Sequence, residues 1–77
     1  MNKTTLNYLQ LGEDCYIRKI FLEDSTKRRL QELGFIKGSV VKCVLKSPFN
    51  DPTAYLVKGT VIAIREEITE NILIERI

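Results

Sequence analysis

The sequence has 77 residues, of which 44% are hydrophobic and 29% are charged. This balance is typical of one small folded domain covering residues 1–77 and argues against disorder. Twelve Lys and Arg residues against ten Asp and Glu residues give a formal net charge of +2, too small to indicate a nucleic-acid-binding protein by itself. Apolar runs such as 61–64 are far shorter than the roughly 18 residues that span a bilayer. The N-terminus lacks a signal-peptide pattern, so we expect a cytoplasmic protein.

The N-terminal part of the chain predicts one helical turn and one strand. Residues 5–12 predict the turn, with Thr5 as its N-cap. Residues 15–21 predict the strand. Its alternation of apolar and polar residues breaks at Arg18 and Lys19, which indicates a bulge or a bend.

A short helix is predicted next, over about 26–33, with Ser25 or Asp24 as its N-cap. Gly34 follows the helix at the position where a left-handed backbone is needed, because glycine has no Cβ to clash there. In a helix ending of this kind the next residue, Phe35, makes an apolar contact with the last helical turn. The sequence therefore predicts a Schellman ending and an immediate connection to a strand.

The second half of the chain predicts mostly strands. In chain order, the pattern predicts a strand at 41–46, a loop at 47–52, a hairpin of strands 54–57 and 61–64 around 58–60, a helical turn at 65–71 and a last strand at 72–76. Val41, Cys43 and Leu45 alternate with more polar neighbours, which predicts one apolar face. Five short strands would leave exposed edges unless they close, so we expect a mainly β fold: a small five-stranded barrel with one or two short helices.

Catalytic and metal-binding signals are weak. The chain has no histidine, no nucleophile elbow and no phosphate-binding glycine loop, so an enzyme is not expected. Cys15 and Cys43 form no CxxC motif, and we expect two buried free thiols. Glu67 and Glu70 lie three residues apart, a spacing that is more typical of a solvated helix face than of a metal site. No cofactor and no metal ligand are therefore assigned.

The basic run Lys27, Arg28 and Arg29 is the first candidate for a partner-binding surface. With Ser25 as the N-cap, these cations would face the positive end of the helix dipole, at a cost of roughly 0.3–1 kcal/mol each. One interpretation is a solvated face that pairs with carboxylates such as Glu32 or Asp51. A second is contact with an acidic partner, and a third is phosphate binding.

Pro48, Phe49 and Tyr55 are the second candidate. An aromatic residue beside proline on a loop can present an exposed apolar anchor for a partner. In the alternative interpretation, Phe49 folds back over one end of the barrel. The tyrosines do not reproduce the aromatic groove that binds proline-rich peptides, and the chain has no tryptophan.

The order of motifs along the chain resembles the FeoA family, the small cytoplasmic proteins that accompany the bacterial ferrous iron transporter FeoB. The motifs that carry the resemblance are LxxLxxGE at 6–13, RRLxxLGFxxGxxV at 28–41, SPFNDP at 47–52, VxGTxIAIR at 57–65 and IxI at 72–74. The combination is fairly specific and runs nearly end to end. Asn50 stands where glycine is common in the family, and Ile68 where a small residue is common.

The resemblance implies an SH3-like barrel, in agreement with the strand count. It also implies an accessory role in ferrous iron uptake through binding of FeoB's cytoplasmic GTPase region, which would bring the protein to the inner face of the membrane. The alternatives are a small nucleic-acid-binding barrel and an iron-responsive regulatory domain, since SH3-like domains of this type also occur in iron-dependent repressors. An iron sensor built on Cys15 and Cys43 would need both thiols to be close together and partly exposed.

Overall fold

The computed structural model describes residues 3–49 and 51–77, so Asn50 lies outside the described residues. Within these residues the architecture is a single antiparallel sheet of six strands with two short α-helices. The strands are β1 (Lys3–Thr5), β2 (Asp14–Ile20), β3 (Val40–Lys46), β4 (Thr53–Val57), β5 (Thr60–Ile64) and β6 (Ile72–Arg76). The helices are α1 (Asp24–Glu32) and α2 (Glu66–Thr69), and a 3₁₀ helix spans Leu6–Tyr8.

The strand order is β1-β6-β2-β3-β4-β5, and every neighbouring pair is antiparallel. The prediction of a mainly β chain is confirmed, but the prediction of five strands missed β1. Within the described residues no ladder joins β1 to β5, so these two strands are the edges of the sheet. β1 escaped prediction because it is three residues long and pairs with the last strand of the chain, a contact that local sequence patterns do not report.

The predicted bulge in β2 is confirmed. Ile17 pairs with Ile74 while Lys19 pairs with Leu73, so the register shifts by one residue at Arg18. The extra residue lets both Ile17 and Ile20 reach the core, although an odd spacing would place them on opposite faces of a regular strand.

A second register shift, in β3, overturns one detail of the prediction. Val41 and Cys43 are fully buried as expected, but Leu45 is 63% exposed. Cys43 pairs with Tyr55, and Leu45 pairs with Ala54. The two β3 residues are two positions apart while their β4 partners are adjacent, so Cys43 and Leu45 do not share one face of the sheet. Leu45 therefore points to solvent, and the prediction that it shares the buried face is wrong.

Helix α1 begins earlier than predicted and ends as predicted. Glu23 is the N-cap, and neither Ser25 nor Asp24 takes that position. At the C-terminus the Phe35 amide donates to the Leu30 carbonyl and the Gly34 amide donates to the Gln31 carbonyl, both at 3.0 Å. These are the two bonds of a Schellman ending, and Gly34 has a φ of +113°.

The β4–β5 hairpin has a two-residue turn, Lys58 and Gly59, rather than the three-residue connection that the sequence suggested. Both turn residues have positive φ, at 52° and 77°. Positive φ at both central positions is the requirement of a type I′ turn, whose twist matches that of the flanking strands. Thr60 therefore belongs to β5.

One hydrophobic core lies between the sheet and the helices. Its most completely buried side chains are Leu6, Leu9, Cys15, Ile17, Phe35, Val41, Cys43, Tyr55, Val57, Ile72 and Ile74. The 3₁₀ helix, which is the predicted N-terminal turn, contributes Leu6; Thr5 is its N-cap by backbone conformation, without a side-chain cap bond. Helix α2 is capped from the loop before β4, because the Asp51 carboxylate accepts the Glu66 amide at 3.0 Å. Within residues 3–49 and 51–77, neither helix has the length and apolar content needed to cross a membrane.

Candidate functional site

The basic run on α1 is divided between different surfaces. Successive residues of an α-helix point about 100° apart, so three consecutive cations cannot share one face. Lys27 is half-buried and lines a depression beside β2, whereas Arg29 lines a groove beside β5. Arg28 is exposed between them. The three predicted binding residues therefore do not form one site.

The charge environment of the run also differs from the prediction. With Glu23 as the N-cap, Arg29 lies in the last turn of α1, where a cation is favoured by the helix dipole. The predicted cost of placing a cation at the helix N-terminus is therefore wrong for Arg29. Asp51 caps α2, and the described part of the chain contains no ion pair within 4.0 Å that involves Lys27, Arg28 or Arg29.

The depression beside β2 is strongly basic. Its volume is about 340 Å³, and four cationic side chains line it without a carboxylate: Arg18, Lys19, Lys27 and Lys37. Two of the four are already engaged. Arg18 pairs with Glu75 at 2.6 Å, and the Lys19 ammonium lies 5.2 Å from the centre of the Phe21 ring. Lys27 and Lys37 have no ion-pair partner within 4.0 Å among the described residues.

The groove beside β5 is mainly apolar. Two adjoining depressions, of about 310 and 460 Å³, run along this strand and share Leu33 and Ile62. Arg29 and Arg65 line one end of the groove, and Glu32 and Lys58 line the other. Sequence reasoning missed this surface because a closed barrel was expected, and closure would have removed the exposed edge of β5. A signal for this surface was present in the sequence: Val61 and Ala63 alternate along the strand next to Arg65, which ends the VxGTxIAIR motif.

The second predicted cluster separates as well. Phe49 is 90% exposed, so it does not fold back over the sheet, and Pro48 beside it is exposed. Phe49 lines a third depression together with Tyr8 and Lys46, apart from the two that α1 lines.

Tyr55 is a core residue, and the prediction that it contributes to a partner surface is wrong. It is 1% exposed, and its hydroxyl donates to the Leu6 carbonyl at 3.4 Å. Burial raises the pKa of Tyr55 to about 12, so the phenol stays neutral. Its position in β4, opposite Cys43, points the ring into the core rather than to solvent.

Both cysteines are free and fully buried, as predicted. Burial raises the pKa of Cys15 to about 12 and raises that of Cys43 as well. An iron sensor built on these thiols required partial exposure, which neither has. Among the described residues no group of three or more cysteine, aspartate or glutamate side chains is placed to hold a metal ion.

Comparison with solved structures identifies close matches to the fold. The FeoA protein of Chlorobium tepidum superimposes with a TM-score of 0.91 at 24% identity, covering 96% of this chain and 70% of that one. The Stenotrophomonas maltophilia FeoA, solved in complex with zinc, has a TM-score of 0.78 at 30% identity, covering 94% and 89%. It is described as a prokaryotic SH3 domain protein and a candidate ferrous iron transport activating factor. The SH3-like fold implied by the sequence is therefore confirmed.

Manganese-dependent repressors contain the same fold as part of longer chains. The IdeR protein of T. acidophilum has a TM-score of 0.84 at 23% identity, but the match covers all of this chain and 35% of that one. A search of the curated proteins finds no match. The model of the FeoA domain matches residues 4–76. The chain belongs to the FeoA family.

Proposed function

We propose that this protein is a cytoplasmic, non-enzymatic accessory protein of ferrous iron uptake that binds the cytoplasmic GTPase region of an FeoB-type transporter. The observation that carries the proposal is the FeoA match over residues 4–76. It is supported by the 30% identical S. maltophilia relative, whose description names ferrous iron transport.

The geometry supports a binding role through open surfaces. Arg28 and Arg29 are exposed and lack an ion-pair partner among the described residues, so their charges are available to an acidic partner. Phe49 offers a large aromatic side chain almost entirely to solvent, and buried aromatic anchors dominate the energy of many interfaces. Arg28, Arg29, Pro48 and Phe49 remain candidate partner residues, while Lys27 belongs to the basic depression.

A protein of this kind acts by shifting populations in its partner. It can change the partner's equilibrium between states only by as much as its affinity differs between them. A tenfold preference for the GTP-bound state, for example, corresponds to about 1.4 kcal/mol. Modulation of the transporter therefore requires an affinity that differs between the partner's states, whether these are its open and closed states or its GTP-bound and GDP-bound states.

An amide NMR titration tests the proposal. The labelled protein is titrated with the purified cytoplasmic domain of its cognate FeoB, loaded with GDP or with a non-hydrolysable GTP analogue. We expect localised shifts near Arg28, Arg29 or Phe49, with different affinities for the two nucleotides. Absence of shifts at high concentration would contradict the proposed partner. A short DNA duplex titrated in parallel tests the nucleic-acid alternative, which predicts a steeply salt-dependent affinity.

Charge reversal locates the contact. Arg28→Glu and Arg29→Glu, alone and combined, should weaken binding by about threefold to tenfold each. Both residues are exposed, so the free energy of unfolding should fall by no more than about 1 kcal/mol, the helix-dipole contribution at Arg29. Lys3→Glu is the matched control, because it reverses one exposed charge on β1, at the opposite edge of the sheet. Unchanged affinity in the double variant would move the contact to Phe49, and Phe49→Ser tests that site directly.

A further inference from the structure

Strand β5 leaves main-chain hydrogen-bonding groups unpaired. Val57 and Thr60 flank the two-residue turn and form a hydrogen-bonded pair. Ile62 forms the same kind of pair with Tyr55, and Ile64 with Thr53. In an antiparallel ladder the intervening residues point their N–H and C=O groups the other way. Val61 and Ala63 therefore direct these groups away from β4, and no backbone bond in the described residues uses them.

The exposed edge lacks three of the features that usually protect one. Natural proteins block sheet edges with very short strands, charged side chains or proline. The opposite edge, β1, has such protection because it is three residues long and includes Lys3. β5 has five residues, Thr60–Ile64, without a charge or a proline, and Val61 is 60% exposed. An edge of this kind is a template for an additional strand.

Helix α1 turns this edge into a groove. Leu33 from the end of α1 and Ile62 from β5 line both depressions, so the groove follows the whole strand, a length of about 17 Å for five residues. A peptide paired with β5 would point alternate side chains into the groove, against Leu33, Ile62 and Ile68. A groove between a sheet edge and a helix suits strand addition, in which backbone bonds supply affinity and alternate side chains supply specificity.

The charges around the groove define one end of the ligand. Arg29 and Arg65 lie together at the C-terminal end of β5, and neither has an ion-pair partner in residues 3–49 and 51–77. At the other end Glu32 and Lys58 have opposite signs. An acidic side chain is therefore favoured beside the two arginines, and apolar side chains are favoured between the ends.

We propose that β5 binds an extended, apolar segment of a partner protein as an additional strand, with a carboxylate of that segment between Arg29 and Arg65. The inference rests on the proposed function, since the segment is supplied by the transporter's cytoplasmic region. Val61 and Ala63 form the backbone contacts, the groove beside α1 accepts alternate side chains, and the arginine pair sets the orientation.

Hydrogen exchange followed by NMR tests the strand addition. In the free protein the Val61 and Ala63 amides should exchange rapidly. Two probes are added separately: the cytoplasmic domain of the cognate FeoB, and an eight-residue peptide of valine and threonine with one glutamate at the end that meets the arginine pair, with the same peptide carrying lysine at that position as its control. We expect the Val61 and Ala63 amides to become protected, and the lysine peptide to bind at least about threefold more weakly.

Two substitutions separate the backbone and charge contributions. Ala63→Pro removes the outward N–H while leaving the β4 bonds in place, since proline is tolerated at an edge position of this kind. It should weaken binding about fivefold or more, the effect of one hydrogen bond. Ala63→Val retains the N–H and is the matched control. Arg29→Glu with Arg65→Glu should remove the preference for glutamate over lysine.

The outcomes distinguish this inference from the proposed function. If the transporter domain binds but neither probe protects Val61 and Ala63 at millimolar concentration, strand addition is refuted and the proposed partner stands. If the peptide protects both amides but the domain does not bind, the groove is a strand-binding site and the proposed partner is wrong. Protection that increases with protein concentration alone would assign the edge to a second copy of this chain and overturn the inference.

Discussion

Replacing Gly34 by alanine tests how the end of α1 is attached to the sheet. Gly34 has a φ of +113°, which lies in a region that residues with a Cβ rarely adopt. A Cβ added there would lie 2.8 Å from Lys58 Cγ and 3.1 Å from Val57 Cγ2. The lysine side chain can move, but Val57 is 1% exposed and packed in the core. The substitution therefore combines backbone strain with a contact that the core must accommodate.

The expected loss is large for a domain of this size. A residue with a Cβ in the left-handed region costs roughly 1–2 kcal/mol, and overpacking against a buried side chain costs roughly 1–3 kcal/mol. We expect Gly34→Ala to lower the free energy of unfolding by about 2–5 kcal/mol. A core of this size supplies only about 3–5 kcal/mol in total, so the variant should be close to unfolding at ambient temperature.

Urea unfolding followed by circular dichroism measures the effect. Gly12→Ala is the matched control, because Gly12 also has a positive φ, +87°, but a Cβ there would have nothing within 4 Å. The free energy of unfolding of the control should fall only by the cost of the backbone strain, about 1–2 kcal/mol. Equal losses in the two variants would refute the contact with Val57 and Lys58. A loss below about 0.5 kcal/mol in both would refute the backbone argument.

Two further predictions concern ionisable groups. The Gln10 amide donates to the Glu13 carboxylate at 2.7 Å, and this bond, aided by Arg76, holds the pKa of Glu13 below its ordinary value of 4.5. The bond therefore contributes in full to the free energy of unfolding above pH 4.5, and this contribution is lost as pH falls through the lower folded-state pKa. Glu13→Gln should lower the urea midpoint at neutral pH and reduce the fall of that midpoint in acid. An unchanged fall in acid would contradict this. Cys15 and Cys43 are buried and have raised pKa values, so Ellman's reagent at pH 8 should react only slowly with the native protein. The same reagent should titrate both thiols when the protein is unfolded in urea. Rapid reaction of the native thiols would contradict the described packing.

Local chemistry made several elements predictable from the sequence. Gly34 followed by Phe35 indicated the helix ending, because the left-handed position and the apolar contact are specified within a few residues. The β4–β5 hairpin was located for the same reason, since few residues adopt positive φ in a hairpin, although Thr60 was placed in the connection instead of in β5. The β2 bulge was visible because Arg18 and Lys19 interrupt an otherwise alternating strand.

The features that sequence reasoning missed depend on distant contacts. β1 forms only by pairing with β6, at the other end of the chain. Leu45 is exposed because of a register shift against β4, which the alternation within β3 does not reveal. Tyr55 was assigned to a surface because tyrosine suits both cores and interfaces, and only its pairing opposite Cys43 decides between them.

The same glycine links the stability of the fold to the proposed strand-binding groove. Gly34 packs against Val57 and Lys58, which lie at the β4–β5 turn, so its missing Cβ sets how closely the end of α1 approaches the hairpin. Leu33, the residue before it, lines the whole groove with Ile62 of β5. The close approach of Gly34 to the β4–β5 turn therefore also fixes the width of the groove. Because this contact and the core packing of Leu30 and Ile64 hold the groove wall and the edge strand, the surface is preorganised, and a partner strand would not have to order it on binding.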